Sequence, residues 1–391
     1  MDDSIVVGHP PDDIIFQILS RTSLKTLGRC RLLNKEWYET TYDSNFTQHF
    51  FKRIDKVISG FFIQDLKHPQ GYFSSFLPIE EEAAKQDDVD ENTKLSLSFL
   101  PPAGAGSVKI LAAARTQGII LLCDYNYMRY YVCKPATKQW RTIPSPNTRR
   151  FSTKAIAIVV LGSHRDGLRF KIVRFSSDVN RTYVVRCEIF DSENWAWKRL
   201  NCIRLPDDAF LLSKPPAVSV RGKLYWLISK KQIFVFDLET ESWGIFAAPK
   251  AAYENEYCYD ETQLVEYQGR LGLIFMGNKE CIQLWVLEDY NQNRHHHHHH
   301  HHHNHHHVVW RKRSEINIEE VNQVEPVSSP VGFCNADVLV MKGFFRMIFY
   351  KFQNNNNHPI ISKVVRLDYP FTDARQVFFF QSDFEPVKFR N

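Results

Sequence analysis

No stretch of this 391-residue chain approaches the eighteen or so consecutive apolar residues a membrane-spanning helix needs. None of its eight cysteines stands in a Cys-x-x-Cys pair. The first absence speaks against a membrane span. The second removes zinc ribbons and dithiol redox motifs from consideration. Cys30, Cys123, Cys133, Cys187, Cys202, Cys258, Cys281 and Cys334 are scattered, several inside apolar runs where a free thiol behaves as a small hydrophobe. That usage suits a reducing interior. The opening MDDSIVVGHPPDD is acidic and has no apolar segment of the signal-peptide kind, so a soluble protein of the nucleus or cytoplasm is expected. Basic blocks are missing too. A formal charge of +5 spread over the whole length gives little grip on a polyanion, and neither nucleic acid nor membrane is an expected partner.

Catalytic signatures are equally scarce. There is no Gly-x-Ser-x-Gly elbow, no phosphate loop and no His-Glu-x-x-His. Outside one tract the histidines are His9, His49, His68, His164 and His358, none with an evident catalytic partner. No catalytic residue, cofactor or metal site is therefore expected. Aromatic residues, by contrast, are plentiful: 14% of the chain, with 29 Phe, 16 Tyr and 8 Trp, a composition that favours β-structure. The length accommodates one small and one large domain.

The small one is read from residues 11–46, PDDIIFQILSRTSLKTLGRCRLLNKEWYETTYDSNF. After Pro10 and Pro11, Asp12 or Asp13 caps a helix, and Ile14, Ile15, Ile18 and Leu19 give it one wide apolar stripe. Ser23 caps a second helix with Leu24, Leu27 and Cys30 behind it. A third carries Leu33, Trp37 and Tyr38 and ends near 43–45. Three helices in about 35 residues cannot enclose that much apolar surface alone, so part of it is expected to lie against a partner.

This run resembles an F-box. Pro11, Ile18, Leu19, Arg21, Leu24, Leu27, Arg29, Arg31, Lys35 and Trp37 match its pattern, whereas Pro10 replaces the first leucine and Thr22-Ser23 replace the second Leu-Pro. The resemblance implies a docking module for the Skp-family adaptor, and through it a cullin, within a ubiquitin ligase. The adaptor contact is then expected on Pro11, Ile14, Ile15, Ile18, Leu19, Leu24, Leu27 and Trp37. Some of these, Trp37 foremost, must instead hold the helices together.

From residue 56 onward the apolar period turns from helical to alternating. ISGFFIQ (58–64) and LSLSF (95–99) read as strands, separated by an acidic stretch at 78–94 of solvated-loop composition. A repeating grammar follows: strand, strand, tight turn, then a strand led by tryptophan. It is clearest in GKLYWLIS, QIFVFDLE, a turn at 240–241, and SWGIF. Copies begin near 118, 170, 222, 270 and 336. Trp140, Trp197, Trp243 and Trp310 mark four of them, 57, 46 and 67 residues apart. A four-stranded sheet of that length cannot shield both its faces, and stacking such sheets into a closed ring solves the problem. The expected fold is mainly β with a small N-terminal α domain: a three-helix unit at 8–52 and a roughly six-bladed β-propeller over 56–391. Insertions are expected at 78–94, 290–307 and 353–359. The segment 376–389 is expected to close the ring on the first blade. A β-sandwich is the competing architecture, and the roughly 50-residue recurrence argues against it.

YYVCKPATKQWRTIP and GKLYWLISKKQIFVFDLETESW resemble the kelch-like F-box-associated domain of the large plant F-box family, although the Gly-Gly doublet of kelch repeats is absent. The resemblance implies a substrate receptor of an SCF ligase, which binds a target protein on its propeller for ubiquitination and degradation. Twelve histidines at 295–307, interrupted by Asn304, and the Asn run at 354–357 both fall between third and fourth strands. They are read as loop expansions on one face, where added length costs little, rather than as a metal site. The opposite face offers Tyr125, Tyr127, Arg129, Arg149, Arg150, Lys230, Lys231, Tyr253, Tyr257 and Tyr259 as target-binding candidates, since Tyr and Arg commonly anchor interfaces. Two other readings stay open: an interaction scaffold without ligase function, and a propeller hydrolase with acidic groups gathered at a channel mouth.

Overall fold

The computed structural model describes residues 12–22, 26–27, 30, 33, 35–41, 46, 50, 57–67, 71–79, 95–100, 108–115, 117–124, 129–149, 151–164, 167–178, 181–206, 209–212, 216–229, 232–252, 262–291, 307–335, 337–352, 360–367, 375–383 and 386–389. Among the described residues α1 (Asp12–Leu19) and α2 (Lys35–Thr40) precede the strands, with Thr26, Leu27, Cys30 and Leu33 helical between them and Phe46 and Phe50 helical after them.

Six antiparallel sheets follow. Blade 1 holds β1 (Val57–Lys67) and β2 (Gly71–Pro78). Blade 2 runs β3 (Val108–Ala113), β4 (Ile120–Asp124), β5 (Arg129–Lys134) and β6 (Gln139–Ile143). Blade 3 is β7 (Ser152–His164), β8 (Gly167–Asp178), β9 (Arg181–Asp191) and β10 (Ala196–Arg199), with the short β11 (Ile203–Arg204) also paired to β9. Blade 4 is β12 (Val218–Val220), β13 (Lys223–Ile228), β14 (Gln232–Asp237) and β15 (Ser242–Ala247). Blade 5 is β16 (Gln263–Tyr267), β17 (Arg270–Met276), β18 (Cys281–Asn291) and β19 (His307–Asn317). The short helix α3 (Glu319–Val324) leads into blade 6, which is β20 (Ser329–Asn335), β21 (Val338–Lys342), β22 (Arg346–Lys351) and β23 (Ile360–Arg366). The last strand, β24 (Gln376–Asp383), returns to pair with β1 from Val57↔Asp383 to Gln64↔Gln376. A six-bladed propeller closed by its two chain ends results.

The cores lie between blades. Phe61 and Ile63 of β1 pack with Val340, Met347 and Phe349 of blade 6, while the alternate residue Phe62 packs with Ile110, Leu122 and Tyr131 of blade 2. The remaining four seams join blades 2 and 3, 3 and 4, 4 and 5, and 5 and 6. Two-sided burial explains why the central strands read as continuous apolar runs. Several cysteines sit in these seams, and burial pushes the Cys123 and Cys187 thiols up to about 12, leaving them as packing groups.

Local chemistry sets the turns. The first-to-second turns place Arg221-Gly222 and Gln268-Gly269 at positive φ, the geometry a two-residue hairpin demands. In the matching turn of blade 2, a Cβ on Gly118 would fall 2.1 Å from the Ser382 hydroxyl oxygen, so glycine also lets β24 approach. In the third-to-fourth turns Lys138, Trp195 and Glu241 adopt left-handed backbone, each two residues before a marker tryptophan. Those tryptophans staple neighbouring blades: Trp197 Nε1 donates to Pro144 O at 2.6 Å and Trp310 Nε1 to Ala247 O at 3.1 Å. Trp197→Phe keeps the apolar ring and loses the donor. It is expected to cost about 1 kcal/mol, read as a shift of the urea midpoint; an unchanged midpoint would show the indole bond to be idle.

LSLSF at 95–99 is not a strand. Ser98 N–H donates to Ser96 Oγ at 3.1 Å and Leu100 N–H to Leu97 O, forming a turn that drops Leu95, Leu97, Phe99 and Leu100 onto the seam between blades 1 and 2. Among the described residues blade 1 has three strands, in the order β2-β1-β24.

Candidate functional site

Strand direction sorts the surface into two ends. First-to-second and third-to-fourth turns share one end of the ring; second-to-third turns and blade-to-blade connections share the other. Val57, paired with Asp383, lies at the first end, and the helices enter there: Val57 packs against Leu19, Leu27, Phe46 and Phe50. In blade 5 the third strand ends at Asn291 and the fourth begins at His307, both at that same end. Most of the polyhistidine tract lies outside the described residues.

In the helical unit, two apolar faces separate. Ile15, Phe16 and Leu19 turn inward onto Leu27, Phe46, Phe50 and Trp37, with Phe16 edge-on to Phe46 at 5.2 Å. Ile14 and Ile18, one turn apart, face away; Ile18 is 56% exposed where Leu19 is 3% exposed. Leu33 is also exposed. Of the expected adaptor residues, then, Ile14 and Ile18 are surface groups, Ile15 and Trp37 are partly buried, and Leu19 and Leu27 serve the internal cluster. Pro11 and Leu24 lie outside the described residues. Leu33, read with Trp37 and Tyr38 as part of the third helix, was not among the candidates.

At the far end of the ring, Arg129 opens β5 and Arg149 sits on the connection from blade 2 to blade 3, both exposed. Tyr125, Tyr127, Arg150, Lys230, Lys231, Tyr253, Tyr257 and Tyr259 lie outside the described residues. The loop carrying Arg149 is held on a buried ion pair. Arg174 and Glu188 face each other across β8 and β9, 3.0 Å apart. Arg174 donates to Thr148 Oγ1 (2.8 Å), Thr153 Oγ1 (2.9 Å) and Phe151 O (2.9 Å), and Glu188 accepts the Thr148 N–H at 3.0 Å. A charged pair with its hydrogen-bonding capacity filled fixes this loop to the sheet.

Arg115, from the first turn of blade 2, reaches the opposite blade, where its Nη1 lies 2.7 Å from Glu266 Oε2, and it covers the Phe379 ring of β24 at 4.9 Å. Among the described residues of the inner strands, the carboxylates Glu266 and Asp383 each meet a cation, Arg115 and Lys134. Among the described residues no group of three metal-ligating side chains gathers anywhere, and no helix is long and apolar enough to cross a membrane. The surfaces this arrangement offers to a partner are the apolar stripe of α1 at one end and the loop face at the other.

Two family models match the chain. The family model described as the F-box domain matches residues 11–49, and the one described as the F-box associated beta propeller domain matches residues 74–357. The chain is similar to the Arabidopsis thaliana F-box protein At5g49610, 26% identical over 295 residues that cover 72% of this chain and 75% of that protein. It is also similar to the Arabidopsis thaliana F-box protein At5g41720, 33% identical over 181 residues covering 44% of this chain and 89% of that protein.

Proposed function

Since the chain belongs to the F-box proteins that carry an F-box-associated β-propeller, we propose that it is the substrate receptor of an SCF-type ubiquitin ligase. The α1 surface docks the Skp-family adaptor, and through it a cullin. The propeller holds a target protein at its loop face, away from the helices. The chain contributes proximity: it raises the local concentration of a target lysine near the ubiquitin-charged enzyme and performs no bond chemistry itself. Its work is placed in the nucleus or cytoplasm, reducing compartments that suit buried free thiols.

One observation carries this reading. Ile14 and Ile18 stand in water on a helix whose other face is already satisfied by its own cluster, leaving an apolar stripe that asks for a second subunit. Ile14→Asp with Ile18→Asp alters that stripe alone. A buried isoleucine contributes on the order of 1.5–3 kcal/mol, so the double variant should bind purified adaptor roughly 100-fold more weakly while melting like the wild type. Titration by calorimetry decides it, and wild-type affinity in the variant would remove the docking claim. Leu19 is unsuitable for such a test, because its charge would break the cluster inside.

A further inference from the structure

The described residues of the loop face include exposed groups of both signs. Its blade 2 side carries the exposed Arg129 and Arg149. Across the ring, α3 exposes Glu319 and Glu320 in its first turn, and the neighbouring blade 5 turn exposes Glu280 beside Lys279. Just past α3, Val327 is 75% exposed, and the β21–β22 turn raises Phe344 (52%) and Phe345 (44%), their rings edge-on at 4.9 Å.

These rings stand on a rigid frame. Phe344 N–H donates to Glu325 Oε1 at 3.2 Å, Gly343 N–H to Arg346 O at 2.7 Å, and Leu367 N–H to Phe345 O at 2.7 Å. Arg346 donates to the Val324 carbonyl, and a Cβ on Gly343 would lie 2.0 Å from Glu325 Cγ, so the turn is seated directly on the α3 connection. The backbone is thus fixed while two aromatic side chains stay in water, the reverse of what stability alone favours. Exposed aromatics on a fixed frame are the form interface anchors take.

On the receptor reading, which this inference rests on, we propose that blades 5 and 6 engage a target segment combining apolar side chains with neighbouring lysine or arginine. The apolar groups cover Phe344, Phe345 and Val327; the cations face Glu319, Glu320 and Glu280. Six residues of α3 span about 9 Å at helical rise, so rings and carboxylates fall within reach of roughly three to five extended target residues. Charge complementarity also sets the polarity, because a basic segment is repelled from the Arg129–Arg149 side.

The test uses the full chain bound to its adaptor and three fluorescent peptides of equal length: apolar-basic, apolar-neutral and apolar-acidic. Anisotropy should rank the apolar-basic peptide first. F344S/F345S should weaken it at least about tenfold with an unchanged melting temperature, and E319K/E320K should invert the preference toward the acidic peptide. Equal binding of all three peptides, no binding of any, or a Phe variant with wild-type affinity would overturn the proposal. Ubiquitinated proteins retained on the same complexes from proteasome-inhibited cells separate the two levels. Loss of that cargo in R149E but not in F344S/F345S keeps the receptor reading and discards this patch. Absence of cargo from the wild type itself discards both.

Discussion

Deleting residues 375–391 should leave a chain with no cooperative thermal transition. β24 supplies the whole ladder on one edge of β1. It also places Phe378 and Phe380 in the seam between blades 1 and 2, and Val377 and Phe379 against the seam between blades 6 and 1. At its start, Arg375 Nη2 lies 2.6 Å from the buried Asp65 Oδ2. Four large apolar side chains at about 1.5–3 kcal/mol each amount to roughly 6–12 kcal/mol, which equals the entire stability of an ordinary domain. The truncated ring would also expose β1 as a long apolar edge, so aggregation is expected alongside. Circular dichroism on heating, with limited proteolysis, reads the outcome. A cooperative melt within a few degrees of the wild type would mean that the blades do not depend on closure.

Arg174→Met is expected to be the most damaging point change, costing about 3–5 kcal/mol. It strands Glu188, fully buried, without its counter-charge, and releases Thr153 and the Phe151 carbonyl from their donor. The paired change Arg174→Met with Glu188→Leu removes both charges and should recover most of the loss, since two matched apolar groups do not incur the cost of one orphaned ion. Urea unfolding of the two singles and the double gives the coupling directly. Additive losses would show that the two side chains are independent.

Much of this architecture was legible because blades 2, 3 and 4 end in the same local device. A left-handed turn followed two residues later by an indole survives in sequence as PATKQW, SENWAW and ETESW, and the paired strand runs repeated around it extend the count to the other blades. The inner strands were harder. β12 is only three residues, VSV, and strands buried near the axis have no alternation to betray them. β2, GYFSSFLP, passed unread because paired aromatics and paired serines give it no alternation. LSLSF, which does alternate, is a turn, because Ser96 supplies from its side chain the acceptor that a neighbouring strand would have provided. Periodicity alone therefore misjudges both.

The candidate site was legible in part for a related reason. Helical spacing identifies apolar faces, not which one is covered, so Ile14 and Ile18 were grouped with Ile15 and Leu19 until packing separated them. Phe345 was missed because FRMIFYKF (345–352) reads as one strand that contains it, and Phe344 fell between that run and the strand before it; the tight seat of Gly343 on Glu325 fixes the turn that exposes both rings.

The pairing of β1 with β24 also has a temporal side. A ribosome makes the N-terminal helices first and β24 after every other strand of the ring, with translation of the intervening residues taking tens of seconds. Under the receptor role proposed above, a nascent molecule offers an adaptor its helices throughout that interval while the ring is still an unclosed arc. On that reading newly made copies compete for adaptor before they can carry cargo, and folding assistance that shields β1 during the wait sets how many of them become working receptors.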